Sequence, residues 1–147
     1  MSCNNSNNKE MRHIVNYMIG DWIMVEGKPV QVAAVHQKKV GYHKWEGRLS
    51  WVRLDQIQII PLTLDFLIKN GFTKTRDGCY EWQQNTGNGF FYVSLRDISE
   101  GSWNMIVQIG DHLSGDRIRK EVTGRFLKIH HLQHEFVGEG IKKEFIV

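Results

Sequence analysis

The stretch that decides the fold is residues 17–60, YMIGDWIMVEGKPVQVAAVHQKKVGYHKWEGRLSWVRLDQIQII. Short runs of β-forming residues alternate with polar turns at residues 26–29, 36–39 and 46–48. Along residues 49–53 one set of side chains alternates with another, which is typical of a strand with two different faces. Four or five strands in about fifty residues predict a small SH3-like or Tudor-like β-barrel that closes its own sheet.

The period of the sequence changes after Pro61. Residues 63–70 have helical spacing, with Thr63 as the N-cap and Gly71 just beyond the C-terminus. A meander of antiparallel strands is expected over residues 72–109, followed by a strand or edge ribbon at 116–122. An apolar helical face then predicts a helix over residues 125–137, and a last short strand is expected at 143–147.

The sequence therefore predicts an α+β protein: a small barrel, a helix, an antiparallel meander and a C-terminal helix. The predicted division is a polar, disordered tail over residues 1–16, a barrel-like half over 17–60 and an α+β half over 61–147. The two halves are expected to pack as one unit, since 147 residues suit a single domain.

Composition excludes several classes of protein. The only cysteines, Cys3 and Cys79, are far apart, which argues against a disulfide scaffold or a zinc ribbon. The start lacks the basic and apolar regions of a signal peptide, and no apolar run has the length of a membrane span. We therefore expect a cytoplasmic protein that does not bind membranes.

Aromatic and basic residues are interleaved on two adjoining strands of the predicted barrel. Aromatic rings stack on bases, and Arg and Lys hold phosphates, in sites for nucleotides and single-stranded nucleic acids. Alternate residues must also fill a small barrel, so core packing of these rings is the other interpretation. The candidate ligand-binding residues here are Tyr42, Lys44, Trp45, Arg48, Trp51 and Arg53.

The C-terminal third supplies four further candidates. The net charge is only +3, but basic residues concentrate late in the chain. They form either a solvated face or a patch in which Arg117 and Arg119 contact an anionic ligand. His130 and His134 lie four residues apart, so a helix would place both on one face. Two histidines are too few for a catalytic zinc, so neither a metal nor a cofactor is predicted, and the residues show no catalytic signature.

Several short motifs follow one another along the chain: residues 19–22 (IGDW), 27–32 (GKPVQV), 60–63 (IPLT), Leu67, 70–72 (NGF), His130 and 132–133 (LQ). In this order they resemble the motifs of a group of small uncharacterised proteins encoded by phages and mobile elements of Bacteroidetes. The resemblance covers about residues 18–137 and implies a phage or mobile-element origin and an accessory role, with no activity to transfer. His131 and His134 depart from that pattern, and the chain is longer between Leu95 and Arg125.

Three functions follow as hypotheses. The first is a non-catalytic accessory protein that sequesters a small anionic, nucleotide-type immune signal and so counters host defence. The second is an adaptor that binds nucleic acid or a host protein, and the third is a nucleotide-degrading enzyme that uses the histidines. A homo-oligomer with a shared site is compatible with each of them.

Overall fold

The computed structural model describes residues 16–76, 78–99, 102–125 and 128–147. The chain divides between Gln58 and Ile59 into two compact units, here the first and the second unit. Among the described residues, each unit contains an antiparallel sheet and two α-helices lie in the second unit, an arrangement that agrees with the predicted α+β class. The predicted tail, apart from Asn16, lies outside the described residues, and the predicted boundary at Pro61 falls shortly after the observed division.

The first unit is a four-stranded sheet with the strands in sequence order. A 3-10 turn at Leu54–Gln56 follows the last strand. The four strands follow one another in the predicted order. The sheet is open, and the pairings among these four strands do not close it into a barrel. The strands are β1 (Trp22–Val25), β2 (Lys28–His36), β3 (Lys39–Trp45) and β4 (Arg48–Arg53).

Tight turns and two bulges set the register of this sheet. Glu26 and Gly27 both have positive φ, at 50° and 75°, which matches the twist of a two-residue hairpin between β1 and β2. One bulge lies in β2 between Val32 and Ala34, and the other lies in β3 between His43 and Trp45. A bulge reverses which face the following side chains occupy, so the second one matters for the candidate site.

The core of the first unit lies on one face of its sheet. In β1, Ile23 and Val25 are buried while Trp22 and Met24 are half-buried, which is the alternation of a strand with one covered face. Branched aliphatic side chains supply most of this core. Its buried members are Ile23, Val25, Val32, Val40, Tyr42 and Val52.

The second unit is a five-stranded antiparallel meander with a helix before it and a helix after it. The predicted helix over residues 125–137 begins at Ile129, with 126 and 127 outside the described residues. The predicted last strand is wrong, because residues 141–147 have no regular structure. The elements are α1 (Leu64–Lys69), β5 (Thr73–Arg76), β6 (Cys79–Asn85), β7 (Gly89–Ser99), β8 (Ser102–Asp111), β9 (Arg117–Arg125) and α2 (Ile129–Gly138).

The predicted ends of α1 are confirmed by their hydrogen bonds. The Thr63 hydroxyl accepts from the Phe66 amide at 3.2 Å, as an N-cap does. Gly71 follows the C-cap with φ 87°, a conformation that glycine adopts without a Cβ penalty. The Asn70 side chain donates to the Phe66 and Ile146 carbonyls and accepts from the Ile146 amide, so it fastens the C-terminal segment to α1.

Aromatic rings join the helices of the second unit to its sheet. Phe136 of α2 lies 5.2 Å from Trp82 of β6, 6.4 Å from Phe72 and 5.1 Å from Phe145, between ring centroids. Phe145 stacks in turn on Phe66 of α1 at 5.8 Å. Such pairs contribute about 0.5–1.5 kcal/mol each beyond the area they bury. The irregular C-terminal segment is therefore part of this core.

Candidate binding face

The sheet of the first unit has a second face, opposite its core, which we call the outer face. Pairing of β3 with β4 places Lys39 opposite Arg53, Gly41 opposite Trp51, and His43 opposite Leu49. These pairs alternate with the core pair of Val40 and Val52, so they lie on the other side of the sheet. The outer face consists of Trp22, Lys39, His43, Leu49, Trp51 and Arg53, and all of these side chains are exposed or half-buried.

Trp51 is the central aromatic residue of the outer face. It is 45% exposed, and the Lys39 ammonium lies 4.8 Å from its ring centroid. Arg53 lies two residues further along β4, and its Nε is 3.5 Å from a carboxylate oxygen of Asp55. That ion pair is exposed at both ends, so water and salt screen it strongly. The Arg53 guanidinium can therefore exchange Asp55 for another anion at little cost.

A shallow cleft of about 480 Å³ lies over β1 and β2, where two residues of the outer face, Trp22 and His43, line it. Trp22, Gln31 and His43 are among its lining residues, together with Ile19 and Ala33. The Gln31 amide donates to the Gly20 carbonyl at 3.1 Å, which helps to fix the rim. The outer face thus combines ring faces, cations and an adjacent depression.

A second cleft, of about 340 Å³, lies between the end of β1 and the edge strand β4. Tyr42 and Trp51 line it, with Glu26, Gln56 and Gln58 as polar neighbours. Since Trp51 borders this cleft and also belongs to the outer face, it is the one predicted site residue that both surfaces share.

The bulge in β3 separates the residues that the sequence groups together. Trp45 pairs with Arg48, which lies on the same side of β4 as Ser50 and Val52, and Lys44 lies within the bulge. Trp45 is 66% exposed, whereas Tyr42 is only 7% exposed within the core. Of the six residues predicted in this unit, only Trp51 and Arg53 share the outer face; Tyr42, Lys44, Trp45 and Arg48 do not.

The predicted cations of the second unit are exposed but already engaged. Arg117 lies 5.8 Å from the ring of Phe90, and Arg119 lies 4.0 Å from the Glu121 carboxylate. Lys120 lies 3.0 Å from Glu139 and 3.6 Å from Glu135. The hydrogen bond from Lys120 to Glu139 and the charge of Glu135 raise the pKa of Lys120. These opposing charges reduce the positive field that the basic stretch could present to an anion.

The predicted histidines lie on α2, as expected, but they differ in accessibility. His130 is fully buried, and its ring centroid lies 5.6 Å from that of the half-buried His134. His131 is closer to His130, at 4.3 Å. Among the described residues, no group of three or more His, Cys, Asp or Glu side chains is placed to hold a metal ion. A buried His130 does not present its ring nitrogens to a ligand in solution.

Two residues of the outer face, Trp22 and Lys39, are not among the ligand-binding residues predicted from the sequence. Trp22 alternates with the core residues Ile23 and Val25, which is a visible signal for an outward position. Lys39 contacts Trp51 across neighbouring strands, and that contact depends on a register that only the bulged pairing defines.

Comparison with known proteins yields no match to a family model, to a curated protein or to a solved structure. The resemblance to the phage-encoded group therefore remains a prediction. Among the described residues, there is no helix with the length and apolar character needed to cross a membrane.

Proposed function

We propose that the chain is a non-catalytic binding protein whose first unit holds a nucleotide-type ligand on its outer face. The observation that carries this proposal is the exposed Trp51 ring with the Lys39 ammonium at 4.8 Å and Arg53 on the same face. A ring for stacking and cations for phosphate are the two elements that nucleotide and single-strand sites share. The ligand class is therefore a base that carries a phosphate.

We also propose that the first unit is a small SH3-like or Tudor-like barrel. After the 3-10 turn the chain returns to β1, where the Met24 amide donates to the Gln58 carbonyl at 2.8 Å. The Gln58 amide donates back to the Met24 carbonyl at 2.9 Å. This reciprocal pair supports closure, because a fifth strand in that place would join the free edge of β1.

The existing contacts of the outer face are weak enough for a ligand to replace them. An exposed cation–π contact such as that of Lys39 and Trp51 contributes about 0.5–1 kcal/mol. An exposed ion pair such as that of Arg53 and Asp55 contributes about 0–1 kcal/mol. A phosphate can therefore draw both cations from their present partners while a base stacks on the ring.

Binding without chemistry fits the arrangement of ionisable groups in the described residues. The ionisable side chains of the outer face are those of Lys39, His43 and Arg53, and none of them is an acid. The acid that pairs with Arg53 is the exposed Asp55, which follows β4. The buried position of His130 gives no support to a degrading enzyme that uses the histidine pair. As an accessory protein of a phage, the chain would act by sequestering a nucleotide-type immune signal in the host cytoplasm.

Native mass spectrometry and tryptophan fluorescence test the proposal with three probes: ADP-ribose, a cyclic dinucleotide and a single-stranded oligonucleotide. We expect Trp51→Ala to weaken binding roughly 5- to 150-fold, the equivalent of one base-stacking interaction. Trp45→Ala is the matched control, since Trp45 is more exposed but outside the outer face. It should leave the affinity unchanged.

The probes also separate the two sources of this ligand chemistry. Binding of ADP-ribose or the cyclic dinucleotide, with weak salt dependence, supports a sequestered signal. Binding of the oligonucleotide alone, weakening steeply with salt, supports the nucleic-acid adaptor. If none of the probes binds, or if Trp45→Ala and Trp51→Ala weaken binding equally, the outer face is not the site.

A further inference from the structure

The edge strand β9 has features that suit pairing with another strand. It is nine residues long and pairs with β8 on one side, which leaves it as the last strand of the five-stranded sheet. Residues 117–121 along it are exposed, and Ile118 is 64% exposed. A long edge with accessible backbone groups is a template for strand addition unless its side chains oppose it.

The side chains of β9 are complementary to those of a second copy in one antiparallel register. With Lys120 of each copy at the centre, Ile118 of one strand lies opposite Val122 of the other. Arg119 then lies opposite Glu121, and by symmetry each of these pairs occurs twice. The registers centred on the neighbouring residues instead place Arg119 opposite Arg119 or Glu121 opposite Glu121, which is unfavourable. The charged pairs therefore favour the register centred on Lys120 over its two neighbours.

The central pair of lysines is the apparent obstacle to this register. Each Lys120 ammonium, however, is held by two carboxylates of its own chain, with Glu139 at 3.0 Å and Glu135 at 3.6 Å. Both acids belong to α2 or follow it directly, so the ammonium is directed toward the helix side of the sheet. The local charge at the centre is compensated before a second strand arrives.

We propose that two copies of the chain associate through β9, which would join their five-stranded sheets into one continuous sheet. The interface is isologous: the Ile118–Val122 and Arg119–Glu121 pairs repeat on either side of a two-fold axis. It buries the Ile118 side chain and satisfies the free backbone groups of the edge. This inference rests on the second unit alone and does not depend on the ligand of the first.

A charge exchange tests the register, with sedimentation equilibrium of the full chain over a range of protein concentrations. The unmodified chain should form a reversible dimer. Arg119→Glu places two acids opposite each other twice, and Glu121→Arg does the same with two bases, so each should weaken the dimer about tenfold or more. The double variant restores opposite charges, and its dimer should be close in affinity to the original.

Two controls keep the result specific to β9. Arg76→Glu makes the same change of charge on β5, the strand at the other edge of the sheet, and should leave the dimer unchanged. Circular dichroism of each variant reports whether the fold is retained. A chain that stays monomeric at every concentration overturns the proposal, as does a double variant that fails to restore the dimer weakened by its single components.

Discussion

The two units differ in how they place their tryptophans. In the first unit the core is made mainly of Val and Ile, and its tryptophans are half-buried or exposed: Trp22, Trp45 and Trp51. In the second unit Trp103 is buried, Trp82 is half-buried, and Trp82 packs against Phe136 and Phe72. Branched aliphatic side chains fill most of the core of the first unit, whereas large rings connect the sheet of the second unit to its C-terminal helix and segment.

This difference indicates which aromatic residues are available to bind a ligand and which ones stabilise the fold. Large rings that a fold does not use in its core remain available for contact with a ligand. The second unit uses its rings to join Trp82 on β6, Phe136 on α2 and Phe145 in the C-terminal segment. We therefore expect substitution of these packed rings to affect stability in the second unit, and substitution of the exposed Trp51 to affect binding in the first.

The largest effect is expected for Phe136→Ala. Phe136 is buried and packs against Phe72, Trp82 and Phe145, so truncation removes both apolar burial and ring stacking and leaves a cavity. The free energy of unfolding should fall by about 3–5 kcal/mol, measured by urea denaturation with circular dichroism. Val137→Ala changes the next residue, which is exposed, and should cost less than about 0.5 kcal/mol. Similar costs for both variants would mean that the aromatic core is not the centre of stability.

Ile23→Ala applies the same test to the aliphatic core of the first unit. Ile23 is fully buried among Val25, Val32 and Val40. The loss should be about 2–5 kcal/mol, read from the same denaturation curves. Ile19→Ala, at an exposed position before β1, is the control and should be close to neutral. An unaffected Ile23→Ala variant would show that the six buried residues do not form a cooperative core.

Asn70→Ala tests how the second unit holds its irregular end. The side chain of Asn70 makes two hydrogen bonds with the backbone of Ile146, at 2.8 and 2.7 Å, and one with the Phe66 carbonyl. Its removal leaves the part-buried N–H and C=O groups of Ile146 without these partners, which should cost about 1–3 kcal/mol. Faster hydrogen exchange at the Ile146 amide is the specific readout. Lys69→Ala, at the exposed preceding residue, should alter neither quantity.

Local signals in the sequence were sufficient for much of the fold. The N-cap Thr63, the glycine at position 71 and the alternation around Trp51 each act within a few residues, and each is confirmed. The last strand was predicted wrongly because the alternation of Phe145 and Ile146 reflects docking onto rings and onto Asn70, which are distant in sequence. The residues that the sequence groups into one candidate site do not all share one face of the sheet. The bulge after His43, which local sequence does not reveal, moves Trp45 away from Trp51.

The smallest effect on stability is expected at the residue proposed to matter most for binding. Trp51→Thr replaces an exposed ring on β4 with a residue of good β propensity, and the cation–π interaction of that ring with Lys39 is weak. The free energy of unfolding should fall by about 1 kcal/mol or less, while binding of a nucleotide-type probe weakens roughly 5- to 150-fold. Trp103→Thr, at a buried position of β8, is the matched change in the second unit and should destabilise by about 3–5 kcal/mol. If Trp51→Thr destabilised the chain as much as Trp103→Thr, the Trp51 ring would be part of the core after all, and aromatic residues would not be divided between binding and stability.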